Sequence, residues 1–292
     1  MAVHRAAVLG RPIAHSLSPV LHLAGYQELG LTDWSYQAIE CDEAGLPALL
    51  QSLGPDWAGL SLTMPLKQVV LPLLDRADPL VGTVGAANTV LLRQGERVGC
   101  NTDVAGIVTA LRLAGVTPAG NVALLGSGAT ARSGLAALSE AGWGEVAVAV
   151  RDRARADPLL AVAKRLGVSV NLMGLGQDLS GTRWRLLLST LPAGAADDLA
   201  DRLTASELAA TAVFDVVYDP WPTRLAAAAL ASGSTVISGF DMLLHQATGQ
   251  FELMTGKPAP VETMRAAGLA ELDRRHGLGA RSSGNAGPAQ MG

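Results

Sequence analysis

An α/β fold in two domains is expected from three observations. Short apolar, β-branched runs alternate with helical patterns along most of the 292-residue chain. The alternation comes in two blocks, and the second opens with a glycine turn directly after a strand-like run, "VALLGSGATA". With 49% hydrophobic residues, the length suffices for two cores of ordinary size. Strands that alternate with helices imply a parallel sheet covered on both faces.

In the first block, strands are expected at 6–10 ("AAVLG"), 34–40 ("WSYQAIE") and 58–63 ("AGLSLT"), each ending in turn residues. "SPVLHLAGYQELG", 18–30, reads as a helix with Ser18 at the N-cap, Pro19 in the first turn and Gly30 as its stop. A further helix begins near Pro65. "NTVLL" and "ERVGC", separated by Arg93, Gln94 and Gly95, read as a hairpin over 88–100. "NTDVAGIVTALRLAG" then sets Val104, Ile107, Val108 and Leu111 at helical spacing, with Asp103 placed to cap it. Such a helix can cross from one domain to the next.

The second block opens at Asn121 with a strand, the glycine turn, a helix to about Gly142 and the strand "EVAVAV", which is one βαβ unit. Strands at 183–189, 212–218 and 234–238 follow, with alanine-rich helices between them. Helices at about 240–255 and 260–275 are expected to pack back on the first domain. The division is therefore 1–103 with 240–278 for the first domain and 104–239 for the second. The tail over 279–292 has no apolar period and is expected to be disordered.

Composition excludes several classes of function. A net charge of −4 with no cluster of five or six basic residues argues against nucleic-acid partners. The longest apolar stretches, such as "LAAAALA" at 225–231, fall far short of the roughly 20 residues that span a bilayer. "AAVLG" is too short for a signal-peptide core and is broken by Arg11 and Pro12, so a cytoplasmic protein is expected. Cys41 and Cys100 cannot form a disulfide framework and read as buried thiols. The five histidines include no HExxH pair, and no metal is expected.

Gly126, Gly128 and Ala131 form a GxGxxA pattern between a strand and a helix, which points to a Rossmann-like, doubly wound dinucleotide-binding domain. Its backbone from Gly126 through Ser127, Gly128, Ala129 and Thr130 would cradle a pyrophosphate at the helix N-terminus. At the end of the next strand, "VRDRARA" holds Arg151, Arg153 and Arg155 against the single Asp152. Arginines pair with a ribose 2′-phosphate, so NADP is favoured, with Arg151 and Arg155 as its binders. Asp152 keeps NAD open, because a carboxylate suits a free 2′-hydroxyl.

The first block offers four polar turns: "HSLSP" (15–19), "LTMPLK" (62–67), "GAANT" (85–89) and "CNTD" (100–103). Each alone is an ordinary cap or turn, but open α/β sheets bind ligands at such strand ends. Of the 22 basic residues only Lys67, Lys164 and Lys257 are lysine. A lysine can release and regain a proton, whereas a guanidinium, with its pKa above about 12, cannot. Lys67 is thus a candidate proton donor.

The segments "GRPIAHSLSPVLH", "GLSLTMPLK", "GAANTV", "CNTDVAG", "GSGATARS", "VFDVVYDPWPT" and "SGFDMLLHQATGQFELMTG", in this order over roughly residues 9–256, resemble the shikimate dehydrogenases. The resemblance implies an N-terminal substrate-binding domain beside the Rossmann-like one. It also implies NADPH-dependent reduction of 3-dehydroshikimate to shikimate, on the route to chorismate and aromatic amino acids, by a monomer or homodimer. Ser16 and Ser18, assisted by Tyr218, would bind the substrate carboxylate; Thr63, Asn88 and Gln246 would contact ring hydroxyls. Lys67 and Asp103 would be the catalytic pair, and Val216 and Gly239 would complete the cofactor-binding set. Ser61 stands where asparagine is frequent, which implies a different supporting hydrogen bond. "VRD" replaces the usual "NRT", and Val104, Met254 and Leu23 are further departures. Two other readings remain: an NAD-preferring quinate/shikimate dehydrogenase, and a nucleotide-sensing protein without turnover.

Overall fold

The computed structural model describes residues 3–175, 179, 181–205 and 208–277, so the tail over 279–292 lies outside the described residues. The first sheet comprises β1 (His4–Gly10), β2 (Trp34–Glu40), β3 (Trp57–Leu62), β4 (Arg76–Ala77), β5 (Thr89–Arg93) and β6 (Glu96–Cys100). Its order is β2-β1-β3-β5-β6-β4, with β1 parallel to β2 and β3 and with β5 antiparallel to β3 and β6. β1 is buried from Ala6 to Gly10 because both faces are covered, which is why it reads as an unbroken apolar run. One face carries α1 (Ser18–Glu28); the other carries α2 (Leu46–Ser52), α3 (Leu66–Val69) and the apolar side of α4 (Pro79–Val84).

α5 (Asp103–Leu113) leads into the second sheet, which comprises β7 (Val122–Leu125), β8 (Glu145–Val150), β9 (Ser169–Gly174), β10 (Arg183–Ser189), β11 (Ala209–Asp215) and β12 (Thr235–Ser238). Every pair in it is parallel, in the order β12-β11-β10-β7-β8-β9. That is the 3-2-1-4-5-6 dinucleotide-binding arrangement, with its switch point between β7 and β10. α6 (Ala129–Glu140) and α7 (Asp157–Leu166) cover one face, and α8 (Asp197–Thr204) and α9 (Arg224–Ala231) the other. α10 (Gly239–Thr255) and α11 (Val261–Arg275) return to the first sheet, where Phe240, Leu244 and Phe251 pack with Val8, Leu21 and Tyr36. α5 is buried from both sides: Val104, Ile107 and Leu111 share a core with Leu124 and Leu135 of the second sheet's layer.

Several sequence expectations need correction. The hairpin turn has two residues, Gln94 and Gly95, rather than three; both have positive φ (53° and 83°), as a primed turn requires. The strand expected at 212–218 runs instead from Ala209 to Asp215, because its partner β10 ends at Ser189, opposite Asp215. Ser18 is the first residue of α1 and not its cap; Leu17 holds that position, and Ser16 Oγ accepts the Ser18 N–H at 3.3 Å. Asp103 likewise lies inside α5, whose first-turn N–H groups at Asp103 and Val104 donate to Asn101 Oδ1 (3.0 and 3.4 Å). α2 is one of the helices expected between the strands, though its bounds were not, and the elements α4, β4 and β9 were not anticipated.

Candidate active site

The turn after β3 is fixed by Thr63 N–H donating to Leu9 O and Leu66 N–H to Thr63 O, so the single helical turn of α3 starts at once. Lys67 is thereby aimed at the start of α5. Its Nζ lies 2.6 Å from Asp103 Oδ2, with the lysine side chain 14% exposed and the aspartate 3%. Asn88 Nδ2 donates to Asp103 Oδ1 (2.9 Å), Thr102 Oγ1 (2.8 Å) and Gln246 Oε1 (3.2 Å), a shared set for two hydrogens. A buried carboxylate is tolerable only when paired and hydrogen-bonded, and Asp103 is both.

A cavity of about 280 Å³ opens over this pair. Ser16, Ser18, Thr63, Tyr218 and Gln246 line it together with Lys67 and Asp103; Asn88 lies just behind, 1% exposed. The turn bearing Ser16 is held from two sides, since His15 O accepts from Tyr218 OH (3.5 Å) and from Arg275 Nη1 (2.8 Å). Arg275 also pairs with Glu271 and Asp219, and burial raises the Tyr218 phenol above its ordinary pKa. Tyr218 itself follows the end of β11, where the buried Asp215 accepts from Thr223 Oγ1 at 2.7 Å and from Val217 N–H.

A second cavity, of about 460 Å³, meets the first at Thr63, Lys67 and Thr130, and Gly128 and Ala129 line it. Gly126 has φ +108°, and a Cβ there would sit 2.7 Å from Thr190 Oγ1. Around Gly128 nothing lies within 4 Å of a Cβ position, and the helix that follows has no side-chain cap. Open space beside uncapped first-turn N–H groups fits a dinucleotide pyrophosphate. Val216 and Gly239 line the first cavity; a Cβ on Gly239 would lie 2.1 Å from Val216 O, so only glycine lets α10 start there. Ser127, Gly126, Arg151 and Arg155 line neither cavity. The two arginines are exposed just beyond β8, next to the glycine turn, where Gly126 N–H donates to Ala149 O. Asp152 Oδ1 accepts from Ala154 N–H at 3.0 Å and so shapes the loop between these arginines.

Gln250 and Tyr36 were not singled out from sequence. Gln250 lines the first cavity, accepts from Ser61 Oγ (2.8 Å) and donates to Asn88 O and Thr89 Oγ1. Tyr36 OH donates to Ser61 Oγ at 2.6 Å. The support at Ser61 is thus built on Tyr36 and Gln250. Spacing offered a signal for Gln250, which lies four residues after Gln246 on one helix face; no local pattern marks Tyr36. The ensemble places an ammonium donor, a small polar cavity and a dinucleotide-shaped cleft in contact. It is suited to moving a proton beside a site of hydride transfer.

Comparisons with known proteins agree with one another. Residues 8–90 match the shikimate dehydrogenase substrate binding domain, and residues 239–267 match the shikimate 5'-dehydrogenase C-terminal domain. The shikimate dehydrogenase (NADP(+)) of Moorella thermoacetica is 34% identical over 293 residues, spanning 96% of this chain and 95% of that protein. The crystal structure of the Mycobacterium tuberculosis shikimate dehydrogenase superposes with a TM-score of 0.82 at 41% identity, covering 92% of this chain and 99% of that one. That of the Thermus thermophilus shikimate 5-dehydrogenase, in complex with NADP(H) and shikimate, gives 0.80 at 35% identity, covering 91% and 99%.

Proposed function

The chain belongs to the shikimate dehydrogenase family, and on that footing we propose that Lys67 and Asp103 carry the proton transfer in its reaction. That reaction is the reversible NADPH-dependent reduction of 3-dehydroshikimate to shikimate, and the cofactor is NADP. When bound, NADPH supplies the hydride to the carbonyl carbon. Lys67 hands a proton to the carbonyl oxygen as negative charge develops there, and the neutral amine regains a proton from solvent. In the reverse direction the amine takes the hydroxyl proton. Asp103 orients the ammonium and accepts from a ring hydroxyl, with Asn88, Thr63 and Gln246 on the other hydroxyls. Ser16, Ser18 and Tyr218 hold the carboxylate.

The observation that carries this reading is the 2.6 Å contact between Lys67 Nζ and Asp103 Oδ2 inside the cleft. Residues 1–103 with 240–278 act as the substrate domain and 104–239 as the cofactor domain, a division supported by the two separate sheets. Gly126 to Thr130 would hold the pyrophosphate, Val216 and Gly239, which line the first cavity, would complete the cofactor-binding set, and Arg151 and Arg155 would pair with the 2′-phosphate. Asp152, engaged by Ala154 N–H, serves the loop rather than a ribose hydroxyl. A reducing cytoplasm is supported by two buried free thiols, of which Cys100 is pushed up by burial to about 11.

The test is a kinetic matrix of shikimate and quinate against NADP and NAD, run on the wild type and on Lys67→Ala. Shikimate with NADP gives the highest kcat/KM in the wild type. Lys67→Ala lowers kcat by about 10²–10⁴-fold, with a much smaller change in KM. Equal losses in both would assign Lys67 to binding and overturn the proposed role; best turnover with quinate and NAD would assign the alternative specificity.

A further inference from the structure

The turn over 85–89 touches both members of the Lys67–Asp103 pair. Ala87 N–H donates to Lys67 O at 2.8 Å, Asn88 Nδ2 donates to Asp103 Oδ1 at 2.9 Å, and Ala86 O accepts from Asn101 Nδ2 at 2.9 Å. Asn101 reaches further. Its Oδ1 accepts from Asp103 N–H at 3.0 Å, while its Nδ2 also lies 3.2 Å from Ser133 Oγ. Ser133 is fully buried one turn into α6, the helix whose first turn contains Ala129 and Thr130 of the cofactor cleft. It lines neither cavity.

We propose that Asn101 and Ser133 form a strut that sets the distance between the cofactor-bearing helix and the Lys67–Asp103 pair. Ser133 is then a positioning residue for the chemical step. The inference rests on the reading of that pair given above. Where α5 meets α6, Val104 and Ile107 share an apolar core with Ala131 and Leu135, and apolar contacts carry no directional preference. A hydrogen bond between two buried side chains does, and it fixes the register of the two helices. Displacement of α6 is passed through Asn101 to the backbone of Asp103 and, by way of Ala86 and Ala87, to that of Lys67. Hydride transfer needs reacting atoms about 3–3.5 Å apart, and a misplacement of about 1 Å can lower the rate by roughly 10²-fold.

The test is a single-turnover measurement of NADPH oxidation with saturating 3-dehydroshikimate, on the wild type, Ser133→Ala and Asp103→Asn. Ser133→Ala is expected to lower the rate constant about 10-fold, with full amplitude and with the Kd of NADPH changed by less than about twofold. A purely structural role would reduce the amplitude, which counts folded sites, and leave the rate constant alone. A rate constant within about twofold of wild type, whatever the amplitude, overturns the strut. Asp103→Asn separates the two claims. If it keeps wild-type turnover, the catalytic reading and the strut both fall; if it loses turnover while Ser133→Ala does not, only the strut falls.

Discussion

Removing one partner of the Lys67–Asp103 pair should divide stability from activity. In Lys67→Met the aspartate, 3% exposed, loses its counter-charge but keeps Asn88 Nδ2. Breaking a buried pair from one side destabilises by about 3–5 kcal/mol, and the surviving hydrogen bond argues for the lower end, about 3. Adding Asp103→Asn removes the stranded charge and keeps a side chain of the same shape. The double variant should therefore recover about 2 kcal/mol over Lys67→Met, a coupling well outside ordinary additivity error. Turnover should respond in the opposite sense, with the double variant at or below the single one. Urea unfolding at neutral pH and kcat with shikimate and NADP are the two assays. A double variant no more stable than Lys67→Met would show that Asp103 is not held as a buried charge, and the geometric argument for the pair would fail.

Three other outcomes follow from single residues. His22 is fully buried against Tyr36, with ring centroids 4.0 Å apart, and burial lowers its pKa to about 3. Between pH 6.5 and about 3 the unfolded chain holds a proton that the folded chain does not, so stability falls as pH drops through this window. At pH 5 the loss is about 2 kcal/mol relative to pH 8. Urea midpoints of wild type and His22→Leu should show the variant's acid sensitivity reduced by that amount; identical slopes would refute the assignment. Asp152→Asn keeps the acceptor for Ala154 N–H and removes a charge beside the 2′-phosphate site. It should lower the KM for NADPH about threefold and leave that for NADH unchanged, and an unaltered ratio would remove Asp152 from cofactor choice. Gly239→Ala places a methyl 2.1 Å from Val216 O, so a loss of about 2–3 kcal/mol and a raised KM for NADPH are expected. Wild-type thermal stability in that variant would contradict the close approach.

What could be read from sequence follows the range of the forces involved. β7, β8 and β10 are central parallel strands, and the apolar runs within "VALL", "EVAVAV" and "RWRLLLS" announce them at their correct bounds. Lys67, Asp103, Asn88 and Gln246 were singled out through motifs, and they converge although they are up to 179 residues apart. β9 was missed because it is an edge strand whose "SVNLMG" mixes polar with apolar residues and is only half-buried. β11 was displaced by three residues because its first half, Ala209 to Ala212, has little strand preference; pairing to β10 supplies what propensity does not. The Arg275 contacts with His15 and Asp219 were out of reach for a different reason. They join segments 260 and 56 residues apart by charge and a single carbonyl, and nothing local to either segment records them.

The return of α10 and α11 to the first sheet has a consequence for biosynthesis. Val8, Leu17, Leu21 and Tyr36 are covered by residues as late as Met264 and Leu272. A nascent chain that has just released Asp103 still needs 172 more residues to reach Arg275. At about 5–20 residues per second, the ribosome leaves that apolar face open for roughly 10–30 s while the inserted lobe folds first. The apolar face that emerges first is thus the last to be covered.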